Sequence, residues 1–264
     1  MKDIQISRLN KLLDSSEPLS ISTPYEFNGN PIPRVTTILS DMLHEDYLIN
    51  WANAVGLYQH KKNTEYSDCA CDIGTLVHKG IEILIRDGIT ELSALDFNSP
   101  EKEFIVPFKY HAHVKNCLSG FMQWWISLKN THTVEVLMQE KALICQYYGG
   151  TVDCVIRVDG DVYVIDFKSS NHPSYKYHLQ LAAYKIILET IYHYTVDGAI
   201  VLMLDKKKGG FIEQFMNFKR IPGHAEYMNT LSVTFLSLVY AYYNRKRTED
   251  GYNAYITQME EYYE

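Results

Sequence analysis

Two β-rich stretches joined by a single Asp-Gly dipeptide limit the folds open to this chain more than any other feature of its sequence. The stretches are residues 151–158 and 161–168, and Asp159-Gly160 lies between them. An Asp-Gly pair between two such runs is typical of a two-residue β-hairpin, because both turn positions need a positive φ. The sequence therefore predicts an antiparallel hairpin near the middle of the chain.

The register of this hairpin brings acidic side chains together. If Val158 pairs with Asp161, then Asp153 lies directly opposite Asp166, since both are equally far from the turn. Directly opposed residues have β-carbons about 4.5–5.5 Å apart, and like charges there repel each other. The two-residue period of a strand also places Lys168 on the face of Asp166. The pattern predicts two carboxylates and an ammonium on one patch of sheet.

Opposed carboxylates are costly unless a cation lies between them. Oxygen ligands that leave room for water and phosphate oxygens favour Mg²⁺ or Mn²⁺. A neighbouring lysine can neutralise charge that develops on a phosphate. The alternative is an exposed hairpin face on which Lys168 only balances two acids, and an isolated Asp-x-Lys tripeptide does not distinguish the two.

The composition is that of a globular protein and narrows the range of partners. Hydrophobic residues make up 46% of the 264 residues and charged residues 22%. Lys and Arg number 25 against 32 Asp and Glu, a net charge of −7, which argues against wholesale nucleic-acid coating but allows a local basic channel. No apolar run approaches the roughly 18 residues that span a bilayer, so no membrane partner is expected.

The cysteines and the N-terminal residues bear on location. Five cysteines without a CxxC pair predict reduced thiols rather than a disulfide framework or a zinc ribbon. The N-terminal residues carry acids and lack the apolar stretch of a signal peptide, and they do not resemble a transit peptide. We therefore expect a cytoplasmic location, in a bacterium or a phage-infected host cell.

Along the chain we expect an N-terminal arm over residues 1–30 and a single domain over residues 31–264. Residues 32–39 predict an extended segment leading into a helix. Further helices are predicted at 74–87, 111–129 and 178–190, and a second hairpin at 199–205 and 211–218. Helices and strands in this order fit an α/β or α+β core.

Four short motifs occur in a fixed order. They are Gly74-Thr75-Leu76-Val77-His78 with Glu82, Gly150-Thr151-Val152-Asp153, Asp166-Phe167-Lys168-Ser169-Ser170, and Gln180-Leu181-Ala182-Ala183-Tyr184. Together they resemble the PD-(D/E)XK nuclease superfamily, in particular its RecB-type branch, and exonucleases of the mitochondrial genome maintenance type with their phage relatives. The resemblance covers residues 31–245. It implies an α/β restriction-endonuclease-like core, a central mixed β-sheet flanked by helices.

The resemblance also implies roles for individual residues. The implied metal ligands for Mg²⁺ or Mn²⁺ are His78, Asp153, Asp166 and the carbonyl of Phe167. Lys168 is the implied catalytic lysine, and Gln180 and Tyr184 would orient it or contact the substrate phosphate. The roles of Glu82 and Glu140 stay open. RecB-type variants with an iron–sulfur cluster use cysteines after the core, and this chain has none after Cys154, so no cluster is expected.

Candidate DNA-binding residues lie outside the metal ligands. They are Arg34, Thr36, Thr37, Trp51, Ser169, Ser170, Lys206, Lys207 and Lys208. The three lysines lie in the predicted turn of the second hairpin, and a solvated turn is the alternative interpretation.

The function expected from these residues is metal-dependent hydrolysis of DNA phosphodiesters. The resemblance implies an exonuclease that prefers single-stranded DNA ends. We expect it to act in DNA replication, recombination or repair and to be encoded by a phage. One alternative is a duplex-processing recombination exonuclease of the phage lambda type. Another is a catalytically silent DNA-binding module. Replication or recombination proteins that would act with it are not identified by the sequence.

Overall fold

The computed structural model describes residues 21–43, 63–170 and 172–263. Its helices are α1 (Val35–Met42), α2 (Asn63–Arg86), α3 (His111–Thr131), α4 (Tyr175–Thr190) and α5 (His224–Tyr263). Its strands are β1 (Glu26–Phe27), β2 (Asn30–Pro31), β3 (Asn98–Ser99), β4 (Phe104–Ile105), β5 (Val134–Ile144), β6 (Gly149–Val158), β7 (Asp161–Lys168), β8 (Gly198–Leu204) and β9 (Phe211–Asn217). Single 3₁₀ turns occupy Leu92–Ala94, Pro100–Lys102 and Phe108–Tyr110. None of the described helices is long and apolar enough to cross a membrane.

The centre of the molecule is a five-stranded mixed sheet in the order β5-β6-β7-β8-β9. Strands β7 and β8 are parallel, and the other neighbours are antiparallel. A parallel pair needs a crossover connection, and α4 supplies it. The predicted α/β fold, with a central mixed sheet flanked by helices, is confirmed.

Strand β7 is buried on both of its faces, and its apolar residues alternate between two cores. Val162 and Val164 belong to a core with α1, α4 and α5. Ile165 and Phe167 face the opposite core, built with α2 and α3. Residues at the end of β7 therefore lie between helices from both layers.

The central hairpin forms with the predicted turn and register. Asp159 and Gly160 have φ values of 48° and 95°, and Val158 pairs with Asp161. The ladder ends, however, at Cys154 and Ile165, one position before the two aspartates. Asp153 and Asp166 are therefore not a directly paired position of the ladder, which corrects the prediction.

Two predicted helices begin earlier than their sequence patterns indicate. Helix α2 begins at Asn63 rather than near Gly74. The hydrophobic pattern misses its first turns because they are mostly polar, and the buried apolar stripe starts only at Ile73. Helix α4 begins at Tyr175 rather than His178, after Ser174, whose hydroxyl caps it by accepting a hydrogen bond from the Lys176 amide.

The N-terminal arm is described only from residue 21. Its described part forms the β1–β2 hairpin, and the Tyr25 hydroxyl is 2.9 Å from the Thr151 hydroxyl on β6. Residues 1–20 and Trp51 lie outside the described residues, and the division into an arm and one domain stays a prediction.

Candidate active site

Side chains from three elements converge where β7 ends. Asp153 lies on β6, Asp166 and Lys168 on β7, and His78 reaches them from α2. The amide of Phe167 donates a hydrogen bond of 2.7 Å to Oδ2 of Asp153. This bond stands where the ladder would have continued, so it holds the Asp153 carboxylate at the end of the sheet.

His78 is oriented by contacts at both ring nitrogens. Its Nε2 is 3.0 Å from the carbonyl oxygen of Phe167, which can only accept a hydrogen bond. In a neutral imidazole the proton is therefore assigned to Nε2, which leaves the lone pair on Nδ1. Nδ1 lies 3.4 Å from Oδ1 of Asp153 and 3.5 Å from Oε1 of Glu140.

These three side chains form a group of potential metal ligands. One atom each of His78, Glu140 and Asp153 lie within 4.8 Å of one another. The set holds one nitrogen and carboxylate oxygens, and carboxylate oxygens are the donors that Mg²⁺ and Mn²⁺ prefer. Asp166, which the resemblance implies as a ligand, is not a member of this group.

Glu140 owes its position to an irregular backbone. Its φ is 44°, in the left-handed region that few residues other than glycine adopt. It lies between the paired residues Gln139 and Lys141 on β5 but is itself unpaired in the ladder with β6. The sequence left the role of Glu140 open, because glycine and asparagine are the residues that signal a left-handed backbone, and position 140 is a glutamate.

The Asp166 carboxylate has one paired and one unpaired oxygen. Asp166 is 1% exposed, and its Oδ1 accepts a hydrogen bond of 2.8 Å from Nζ of Lys168. Its Oδ2 is buried and has no hydrogen-bond partner among the described residues. Because buried polar oxygens normally have a partner, the open oxygen fits an additional ligand for a cation. The site residues therefore fit a divalent metal.

Lys168 is held by three groups. Besides Asp166, its ammonium lies 3.3 Å from Oε1 of Gln180 and 5.0 Å from the ring centre of Tyr177. The Gln180 amide in turn donates a hydrogen bond of 3.2 Å to the hydroxyl of Tyr184. Gln180, Tyr177 and Tyr184 all lie on α4, so this helix positions the lysine.

Burial and charge oppose each other in the pKa values of these groups. Burial lowers the pKa of His78, but the charge and hydrogen bonds of Asp153 and Glu140 outweigh it, so the value lies well above 6.5. Burial lowers the pKa of Lys168 as well, and the charges of Asp166 and Asp153 raise it above its ordinary value. Burial, with the charge of Asp153, raises the pKa of Asp166 to about 6. In the metal-free protein the pKa values of His78 and Asp166 are therefore both raised, and a bound cation would compete with these protons.

Glu82 is also near the group but is already neutralised. It forms ion pairs with Lys79 at 2.9 Å and Arg86 at 3.4 Å on its own helix. It lines a cavity of about 430 Å³ whose other lining residues are Gly74, Thr75, His78, Lys79 and Glu140. Two cations beside Glu82 make it a poor additional ligand.

The structure brings some candidate DNA-binding residues to the site and not others. Ser169 and Ser170 follow Lys168 directly and are half-buried. Arg34 bridges to Gly149 at the start of β6, and Thr36 and Thr37 lie in the first turn of α1. Within the described ranges no hydrogen bond or ion pair joins these three residues to the carboxylates.

This fold and site are those of a metal-dependent nuclease. The sequence model of the PD-(D/E)XK nuclease superfamily matches residues 51–254, more than half of the chain, and the chain belongs to this superfamily. A solved structure titled "Crystal structure of SSO0001" is similar over 62% of this chain and 73% of that chain, with 16% identity and a TM-score of 0.27. No curated protein matches.

Proposed function

We propose that the protein is a Mg²⁺- or Mn²⁺-dependent exonuclease of the RecB-type branch that hydrolyses DNA from single-stranded ends. The observation that carries the proposal is the ligand group of His78, Glu140 and Asp153 beside the ammonium of Lys168. The four motifs in family order support the branch. We place it in DNA replication, recombination or repair in a bacterial or phage-infected cell, a setting that its free cysteines suit.

His78, Glu140 and Asp153 would hold the metal through Nδ1 and the two carboxylates, with Oδ2 of Asp166 as a further ligand. The Phe167 carbonyl, the ligand that the family resemblance adds, here accepts the hydrogen bond from Nε2 on the opposite side of the ring, so it would orient His78 rather than bind the same ion. A bound divalent ion polarises a phosphoryl oxygen and neutralises part of its charge. For His78 to serve as a ligand, Nδ1 must be unprotonated, and the bond from Nε2 to Phe167 keeps the ring in that orientation.

Lys168 contributes a fixed positive charge. Its pKa is above the ordinary value, so the ammonium keeps its proton at neutral pH. It can therefore donate hydrogen bonds to the negative charge that grows on the phosphate as the bond breaks. Gln180 acts as a positioning residue, because its Oε1 holds the ammonium while Tyr184 holds the amide.

Digestion of end-labelled DNA tests the proposal. Linear single strands, circular single strands and linear duplex are incubated with Mg²⁺ or Mn²⁺, and Lys168→Ala serves as the matched control for contaminating nuclease. We expect linear single strands to be shortened, circles to resist, and Lys168→Ala to bind DNA without cutting it.

The alternatives give different results in the same experiment. Circles cut as fast as linear strands would indicate an endonuclease, and faster digestion of duplex would indicate a lambda-type recombination exonuclease. Binding without cleavage by the wild-type protein would indicate a silent DNA-binding module.

A further inference from the structure

A second groove adjoins the active site on the side of β8 and β9. Its volume is about 370 Å³, within the range of small-ligand sites. Its lining includes Ser170, Met203, Lys207, Lys208, Phe211 and Ile212. Ser170 follows the catalytic lysine by two residues, so the groove opens beside the reacting centre.

The sheet register sets the distance between this groove and Lys168. Lys168 pairs with Met203, and Met203 pairs with Ile212. Neighbouring strands are about 4.8 Å apart, so Ile212 lies roughly 10 Å from Lys168 in one row across the sheet. Ile212 is 62% exposed at the end of that row. Phe211 belongs to the next row, where it pairs with Leu204, and it is 38% exposed and lines the same groove.

The lysine-containing turn of the groove is fixed rather than free. Asn116 on α3 donates hydrogen bonds of 3.1 Å and 2.9 Å to the carbonyls of Lys206 and Lys207. Gln123 on the same helix donates one of 3.2 Å to the carbonyl of Gly209. Gly120 lies between them in such close contact with Gly210 that an added Cβ would overlap its carbonyl oxygen. Helix α3 thus fixes the backbone of the turn and leaves the lysine side chains unconstrained by these contacts.

The charges of the groove are unbalanced towards the positive. Asp205 accepts hydrogen bonds from the amides of Lys207 and Lys208, at 2.8 Å and 3.1 Å, so its carboxylate serves the turn itself. Both lysine side chains are exposed, and among the described residues Asp205 is the one acidic residue that lines the groove with them. With two ammonium groups against one carboxylate, the described lining of the groove carries one net positive charge and complements an anion beside an apolar surface.

We propose that this groove is a subsite for an unpaired nucleotide of the DNA strand, next to the phosphate that reacts. Its base packs on Phe211 and Ile212, and its phosphate contacts Lys207 and Lys208. The inference rests on the proposed nuclease function and adds a basis for choosing single strands. A base in a duplex is already stacked and paired, so it reaches a protein side chain only after it is unstacked.

A fluorescence binding experiment tests this subsite. The probe is a short single strand with a fluorescent adenine analogue, whose emission falls when its base stacks on an aromatic ring. Chelator prevents hydrolysis, so the wild-type protein is used. We expect quenching on binding, and Phe211→Ala should lose the quenching and bind about fivefold or more weakly. Phe211→Trp should retain both. Phe108→Ala, at an 89% exposed residue that does not line the groove, is the matched control and should change neither.

The phosphate contacts are tested by salt dependence. The double variant Lys207→Gln/Lys208→Gln should make the slope of log affinity against log salt shallower by about 1.4, from about 0.7 per single-strand phosphate contact. Lys129→Gln, at an exposed lysine near the end of α3, should leave the slope unchanged. Should Phe211→Ala fold poorly, Ile212→Asp places an acid at an exposed position on the surface that packs against the base and should weaken binding.

The outcomes separate this subsite from the nuclease function. Cleavage of linear single strands, with affinity, quenching and salt slope unchanged in the groove variants, would overturn the subsite and keep the nuclease. The predicted variant effects in a protein that cuts no DNA with Mg²⁺ or Mn²⁺ would overturn the nuclease and keep a single-strand binding groove.

Discussion

Lys168 contacts only one of the two oxygens of Asp166. Its Nζ lies 2.8 Å from Oδ1, whereas Oδ2 is buried and has no hydrogen-bond partner among the described residues. The carboxylate therefore has the Lys168 ammonium at one oxygen, while its other oxygen is buried and unpaired within the described part of the chain. Under the proposed function Oδ1 would serve the lysine and Oδ2 a metal ion, and without the ion the unpaired buried oxygen costs stability.

Metal should stabilise the protein through the ligand group. We expect excess Mg²⁺ or Mn²⁺ to raise the unfolding temperature of the wild type, since a ligand at about 100 times its Kd adds about 2.7 kcal/mol. Asp153→Asn and Glu140→Gln should show a much smaller rise. Glu82→Gln is the control, because Glu82 is already paired with two cations. Thermal melts in chelator and in metal measure this, and equal shifts in all four proteins would contradict the ligand assignment.

The stability of the metal-free protein should depend on the protonation of Asp166. Its pKa is raised from 3.8 to about 6, by burial first and then by the charge of Asp153. A carboxyl with a raised folded pKa contributes its stability fully below about pH 4 and loses it as the pH rises through about 6. In chelator, the wild type should therefore lose stability relative to Asp166→Asn between about pH 4 and pH 7.

Melts of both proteins across this range test the prediction. In the wild type Lys168 keeps its proton throughout, because the charges of Asp166 and Asp153 outweigh burial and raise the pKa of the lysine above its ordinary value. Parallel stability curves for the two proteins would mean that Asp166 titrates at its ordinary value.

Gln180 should affect turnover more than binding. Gln180→Leu removes the oxygen that holds the Lys168 ammonium, and a hydrogen bond to a charged group contributes about 1.5–3 kcal/mol. We expect kcat to fall by about 10- to 100-fold with little change in KM. Gln180→Glu keeps an acceptor and should retain more activity. Steady-state kinetics on linear single strands measure this, and a loss confined to KM would indicate a substrate contact instead.

Gly120 should be needed to seat the lysine-containing turn on α3. In Gly120→Ala the new methyl would overlap the carbonyl oxygen of Gly210, and overpacking of this kind costs about 1–3 kcal/mol. We expect lower unfolding stability and weaker binding of single strands. Gly251→Ala is the matched control, because that helical glycine has open space around it and alanine should stabilise it by up to about 1 kcal/mol. Unchanged stability and binding in Gly120→Ala would contradict the role of this contact.

The sequence predicted those relations within the site that depend on turn type, strand period or helical spacing. The turn at Asp159-Gly160 determines the hairpin register, and the period of a strand places Asp166 and Lys168 on one face. The helical spacing of Gln180 and Tyr184 likewise predicts that they share a face of α4, and they are hydrogen-bonded. Each of these relations depends on residues close together in the chain.

Other relations depended on elements far apart in the chain. The local pattern extends the hairpin through Asp153 and Asp166, but the Asp153 carboxylate binds the Phe167 amide instead and ends the ladder. Similarly, the lysines at 206–208 are indistinguishable in sequence from a solvated turn, and only the contacts from Asn116, Gly120 and Gln123 show a fixed one.

By itself, the sequence determined the central hairpin, the mixed α/β order and the shared face of Asp166 and Lys168, because turn geometry and strand period act over a few residues. Only the tertiary structure decided that Glu140 joins His78 and Asp153. That meeting needs α2 packed across the sheet and a left-handed backbone at residue 140, and no residue type marks either one. A non-glycine residue persists in the left-handed region only where the surrounding structure determines its conformation, and a local sequence pattern does not record that surrounding structure.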